Sequence, residues 1–119
     1  MGAINMDTRL LEPDVLYVFL PPEPMLRPEL TLLRTHSKTG DQHLILDLSR
    51  VEIITSPSIG SLLLLQRQQA QRGRRLVLCG ARLATKCIFR VAGLDTMLDL
   101  AEDRSEALRA VHRSPVETR

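Results

Sequence analysis

Short apolar blocks and spaced apolar stripes follow one another along the chain, separated by turn residues. Thr8-Arg9-Leu10-Leu11 and Val15-Leu16-Tyr17-Val18-Phe19-Leu20 are strand-like runs, and Glu12-Pro13-Asp14 between them reads as a turn. The pair predicts a hairpin. Pro21, Pro22 and Pro24 then stop the sheet and lead into an extended connection. From about residue 28 to 38 the period becomes helical, with Leu26, Leu30, Leu33 and Ser37 on one stripe. Pro28 suits the first turn of that helix and Gly40 a position just past its end.

His43-Leu44-Ile45-Leu46-Asp47-Leu48 is apolar enough to be a central strand covered on both faces, and Val51-Glu52-Ile53-Ile54 continues it toward a break. The clearest helix start in the chain follows. Ser56 stands where an N-cap belongs and Pro57 at the first helical position, with Ile59, Leu62, Leu63, Gln66 and Ala70 assigned to one face. Gly73 is placed to end this helix in a left-handed cap. Leu76-Val77-Leu78-Cys79 is another buried strand. Ala84, Ile88 and Val91 mark a short helix closed by Gly93, residues 97–100 a last edge strand, and Asp103 or Ser105 the cap of a final helix carrying Ala107, Leu108 and Val111. Two strands followed by alternating helices and strands predict a mixed sheet with a largely parallel centre.

With 119 residues the chain has room for one core. The expected domain fills residues 1–119, with its core over about 8–112 and flexible ends at 1–7 and 113–119. Aromatic residues make up 3% and Trp is absent, so the core must be aliphatic, and base-stacking platforms for single-stranded nucleic acid are not to be expected. Sixteen basic against 14 acidic residues imply no polyanionic partner, and Arg72-Gly73-Arg74-Arg75 reads as a solvated helix end. Cys79 and Cys87 form no CxxC pair, so neither metal nor redox chemistry is indicated. Two thiols without a signal peptide fit a reducing cytoplasm, and no apolar run is long enough to cross a membrane.

No enzymatic constellation is visible. His36, His43 and His112 are scattered over helix, strand and tail, with no Ser/His/Asp or Cys/His grouping around them. Ser58-Ile59-Gly60-Ser61 has one glycine and no lysine, so it is not a phosphate loop. What remains is Ile53-Ile54-Thr55-Ser56-Pro57-Ser58-Ile59-Gly60, hydroxyl-rich and set at a strand-to-helix junction where free N–H groups favour negative charge. Ser56 there can be a helix cap and nothing more, or an acceptor of phosphate; residue types alone leave both open.

Leu44-Ile45-Leu46-Asp47-Leu48-Ser49-Arg50-Val51-Glu52-Ile53-Ile54-Thr55-Ser56 resembles the STAS family, which takes in the bacterial anti-sigma factor antagonists and the cytosolic ends of sulfate transporters. Ile59-Gly60-Ser61-Leu62-Leu63, Gly73-Arg74-Arg75-Leu76-Val77-Leu78, Phe89-Arg90-Val91-Ala92-Gly93-Leu94 and Glu106-Ala107-Leu108 extend the resemblance over about residues 8 to 112. It implies an α/β fold: a small mixed sheet of about five strands with a parallel centre, and about four helices mainly on one face. It also implies a regulatory module that binds an anti-sigma factor or an ATPase-type serine kinase, with partner switching by phosphorylation at Ser56. No catalytic residue, cofactor, metal, nucleic acid or membrane insertion is implied, and self-association stays open. The implied contact residues are Thr55, Ser56, Ser58, Ile59 and Gly60. An alternative is a non-phosphorylated STAS adaptor in a stressosome-like or lipid-transport assembly. Where antagonists carry Asp-Ser-Ser-Gly, this chain has Thr55-Ser56-Pro57-Ser58: an acid is missing, one N–H is lost, and a side chain replaces the glycine. The helix from Pro57 to Arg72, with Gln66, Arg67, Gln68, Gln69 and Arg72, is the expected contact surface.

Overall fold

Each strand of the sheet alternates its side chains between two faces, and both faces are apolar. The computed structural model describes residues 7–35 and 42–113; His36, Ser37, Lys38, Gly40 and Pro115 lie outside the described residues. Strands β1 (Asp7–Glu12) and β2 (Val15–Phe19) form the expected antiparallel hairpin. Helix α1 (Leu26–Thr35), β3 (His43–Asp47), α2 (Ser56–Gln71), β4 (Leu76–Cys79), α3 (Leu83–Val91), β5 (Asp99–Ala101) and α4 (Arg104–Val111) follow. The five strands lie in the order β1-β2-β3-β4-β5, and every pair after the hairpin is parallel.

On one face, Val18, Leu44, Leu46, Leu76 and Leu78 pack with Leu26, Leu30 and Leu33 of α1, Leu62 and Leu65 of α2, and Phe89 of α3. On the other, Val15, Tyr17, Ile45, Val77 and Cys79 meet Ala107, Ala110 and Val111 of α4. Covering on both faces explains why the central strands read as continuous apolar runs. Consecutive parallel strands progress in one direction across the sheet, so their crossover helices α1, α2 and α3 share a face. Small residues on α4 let it lie close to the sheet from behind.

Three helices are phased or started differently from the sequence expectation. Helix α1 begins at Leu26, so Pro28 is its third residue; an N–H there has no intrahelical partner to lose. Helix α2 buries Ser58, Ser61, Leu62, Leu65 and Gln69 rather than the stripe ending at Ala70, which is exposed. The four leucines at 62–65 put apolar atoms on every side and leave the phase to other contacts. One of these is Gln69, whose Nε2 donates to the Gln42 carbonyl at 2.8 Å. Gln68 likewise donates to the Arg34 carbonyl at 2.9 Å, so Gln68 and Gln69 fasten the helix instead of forming a contact surface. Helix α3 turns Thr85 and Phe89 inward, leaving Ile88 39% and Val91 88% exposed. The Phe89 ring buries more area than Ile88 could and sets the rotation. For α4 it is Asp103 that caps, its Oδ1 accepting from the Glu106 N–H at 2.9 Å.

At the opposite end of the sheet from the α2 start, the Arg75 N–H donates to His43 Nδ1 at 2.9 Å. Arg75 also bonds Asp99 Oδ2 at 3.2 Å and the Arg113 carbonyl at 2.9 Å, so this part of the basic run is fastened rather than loose. Arg113, expected to start the loose tail, is thereby held by its carbonyl. Asp7, expected in the flexible N-terminal end, is paired in β1. An accepting Nδ1 requires a ring without a proton on that atom. Burial first, then the positive charges of Arg74, His112 and Arg75, hold His43 below its ordinary 6.5 against the pull of Asp14. Below 6.5 the unfolded chain takes up a proton that the folded chain resists, so stability should fall as pH drops through that value toward the folded pKa. Denaturant melts over roughly pH 5–8 should show this decline in the wild type and a weaker one in His43→Gln. Equal slopes would remove His43 as the cause.

Candidate partner-binding site

Two loops meet at the carboxyl ends of β2 and β3, and the start of α2 rises from between them. β3 ends at Asp47, and the chain turns through a Val51 N–H to Leu48 carbonyl bond of 2.9 Å before reaching the helix. Helix α2 starts at Ser56 with Pro57 behind it, and the N-cap position belongs to Thr55, not Ser56 as the sequence suggests. Pro57 lacks an N–H to cap and fits the first turn, which moves the helix start one residue earlier. Thr55 has extended backbone angles (φ −96°, ψ 161°) and its side chain caps no helix N–H.

That role is displaced by a carboxylate from the neighbouring loop. Glu23 Oε2 accepts from the Thr55 N–H at 3.0 Å and from the Thr55 hydroxyl at 2.9 Å. Ser58, fully buried one turn into the helix, lies with its Oγ 3.4 Å from the Thr55 Oγ1 and also bonds Glu23. Burial pushes the Glu23 carboxyl up. The bonds from Ser58, the Thr55 N–H and the Thr55 hydroxyl outweigh it and hold the group below its ordinary 4.5.

Among the expected contact residues, Thr55, Ser56 and Gly60 are exposed, Ile59 is half-buried and Ser58 is buried. All five fall on the first turns of α2 and its cap. Beside them Ile53 is 70% exposed, and a cleft of about 440 Å³ is lined by Pro22, Glu23, Arg50, Glu52 and Ile53. Further along α2, Gly60, Leu63, Leu64 and Arg67 line a second, shallow depression with Met97. Sequence reasoning missed Glu23. The one available signal was its place between Pro22 and Pro24, where a charged side chain is carried on a stiff segment.

Directly behind this junction, on the α4 face, is a second polar group that local patterns did not reveal. The Tyr17 hydroxyl donates to Asp47 Oδ2 and lies 3.4 Å from Cys79 Sγ. Asp47 Oδ1 accepts from the Ser49 N–H at 2.7 Å. Gly80 has φ +70°, and a Cβ there would stand 3.3 Å from that same Oδ1. Burial, then the bonds to Asp47 and Cys79, push the Tyr17 phenol above its ordinary 10, and burial also raises the Cys79 thiol. Arg104 lies over the Tyr17 ring at 4.9 Å and Arg50 over Phe19 at 4.9 Å. The register explains the meeting, since Tyr17, Ile45 and Val77 share one row and Phe19, Asp47 and Cys79 the row one pleat on. These groups hold one another; each polar atom is spent on structure.

His43 and His112 come to one end of the sheet, facing Asp14 at 3.8 Å and Glu12 at 2.8 Å respectively, and among the described residues neither bonds a Ser hydroxyl or a Cys thiol. Among the described residues no group of three or more His, Cys, Asp and Glu is placed to hold a metal ion. No helix among them is long and apolar enough to cross a membrane.

The family profile described as "Mlab, STAS domain" matches residues 28–101. No curated protein matches the chain in sequence. Among solved structures, one of a provisionally assigned anti-sigma factor antagonist from Thermotoga maritima superposes with a TM-score of 0.78 at 18% identity, covering 91% of this chain and 95% of that one. An anti-sigma factor antagonist from Mycobacterium paratuberculosis gives 0.73 at 19% identity, with 94% and 97% covered. The Bacillus cell fate determinant SpoIIAA in its phosphorylated form gives 0.61 at 16% identity, with 90% and 99% covered. At such identities these likenesses concern the fold.

Proposed function

Because the chain belongs to the STAS domain family, we propose that it is a regulatory protein-binding module, one domain with its core over residues 8–112, that engages its partner through the exposed start of α2. The partner is an anti-sigma factor or a serine kinase of the ATPase type, met in the cytoplasm, and phosphate on Ser56 ends the contact. The observation that carries the reading is the difference between three neighbouring hydroxyls. Ser58 is buried, and Thr55 Oγ1 is bound to Glu23, whereas Ser56 is exposed with no bonded partner among the described residues. A modifying enzyme can reach Ser56 without opening the core. Phosphate there would sit on free helix N–H groups, which favour it, while placing about two negative charges in the contact surface. Burying such charges against a partner with no matching cation is strongly unfavourable.

The adaptor reading is supported by Glu23, which already neutralises the helix start without any phosphate. Pull-down of the wild type, Ser56→Ala and Ser56→Asp from the native cells separates the two. A switch predicts that a partner is lost with Ser56→Asp alone, by about 100-fold or more in affinity, with phosphate mapped to Ser56. The same partners with all three forms and no phosphate would make the chain a constitutive adaptor.

A further inference from the structure

We propose that Glu23 is an internal latch on the start of α2, and that negative charge placed on Ser56 expels it and frees the loop between β2 and α1. The inference deepens the reading of Ser56 as the regulated hydroxyl and rests on it for its biological meaning. The geometry itself is a property of the fold. One carboxylate oxygen accepts from both the N–H and the hydroxyl of Thr55, and the same carboxylate bonds the buried Ser58. These bonds join segments 32 residues apart in sequence. In the antagonists' pattern an acid stands where this chain has Thr55. Here the carboxylate reaches Thr55 from the adjoining loop, a separate piece of chain.

Ser56 is the residue next to Thr55, so a charge on its side chain falls within roughly 10 Å of the Glu23 carboxylate. That is close to the screening length of about 8 Å in physiological salt, where repulsion is weakened but not abolished. Two anions on adjacent donors at one helix start repel each other. Glu23 is held ionised by its bonds, so it cannot escape the repulsion by protonating near neutral pH. Ser56 is fixed in the first turn of α2, so Glu23, on a side chain from outside the helix, is the group that can withdraw. Pro22 and Glu23 also form one wall of the cleft closed by Arg50, Glu52 and Ile53. Releasing the latch therefore changes the shape of that surface as well as its charge. A partner would read a moved wall in addition to a new anion.

A double-mutant cycle tests the latch without any kinase. Tm would be measured for the wild type, Ser56→Asp, Glu23→Gln and the double variant, together with the exchange rate of the Thr55 amide by NMR. An aspartate in the first helical turn is favourable to an otherwise free helix start. With the latch, Ser56→Asp should lower Tm in the wild-type background and raise it when Glu23→Gln removes the opposing charge. Thr55 amide exchange should speed about tenfold or more in Ser56→Asp, because a charge-assisted bond is lost. Equal Tm shifts in the two backgrounds, or an unchanged Thr55 amide, would overturn the proposal. Coupling present in these variants while cells place no phosphate on Ser56 would leave the latch standing and remove the switch. Phosphate on Ser56 with no coupling would do the reverse.

Discussion

Phe89→Ala should destabilise the chain by about 3–5 kcal/mol, read as a fall in the urea midpoint with an unchanged slope. Phe89 is fully buried and is the largest side chain in the core between the sheet and its three crossover helices. Its ring anchors α3, a helix with no other large buried side chain: Thr85, its other inward residue, is small, and its hydroxyl has no bonded partner. Truncation removes the transfer energy of the ring and leaves a cavity that the rest of the aliphatic core cannot close without other side chains leaving their own seats. Val91→Ala, two residues on, is the matched control. At 88% exposure it should change stability by less than about 0.5 kcal/mol. A large loss from Val91→Ala and a small one from Phe89→Ala would mean that α3 faces the other way, with the stripe of Ala84, Ile88 and Val91 inside.

The second large effect is expected at Asp47. Asp47→Ala deprives the buried Tyr17 hydroxyl and the part-buried Ser49 N–H of their acceptor and should cost about 2–4 kcal/mol. Of this, about 1–3 kcal/mol is for the buried Tyr17 donor left unmade and the rest for the lost charge-assisted bond to Ser49. Asp47→Asn keeps one acceptor oxygen and should cost less than half of that. The chain has one tyrosine and no tryptophan, so an ultraviolet titration follows Tyr17 alone. In the wild type, burial and the bonds to Asp47 and Cys79 hold the phenol protonated beyond its ordinary 10. Above 10 the unfolded chain releases a proton that the folded chain keeps, so stability should fall as pH rises through that value. In Asp47→Ala the phenol loses a raising bond and a neighbouring carboxylate, and its titration should move down toward 10. A titration unmoved by Asp47→Ala would show that burial alone governs the group.

The elements that local chemistry specifies were legible from residues alone. The strand-like run Val15-Leu16-Tyr17-Val18 declares a strand, the all-apolar Leu76-Val77-Leu78-Cys79 declares a buried one, and Glu12-Pro13-Asp14 declares the hairpin turn. What stayed hidden depends on partners far along the chain. The rotation of α2 is set by Gln69 reaching the Gln42 carbonyl, and that of α3 by which of two adjacent apolar residues fills the core better. Neither is written in the spacing. The start of α2 was displaced by one residue because serine before proline is also what an N-cap looks like, and the competing acceptor, Glu23, arrives from another loop. The Tyr17–Asp47–Cys79 group needed the register of three strands before its members could be seen to touch.

The strand order has a kinetic meaning as well. Every strand lies beside its predecessor in sequence, from β1 to β5, so no strand has to be inserted between two that have already paired. During synthesis each emerging strand and its crossover helix can dock on an edge that is already complete, and loop closure never spans more than one strand–helix unit. Such a sheet can grow from the ribosome outward in the order in which it is made. The last helix, α4, follows in sequence the sheet it must cover, so the rear face can be sealed only once α4 has been made.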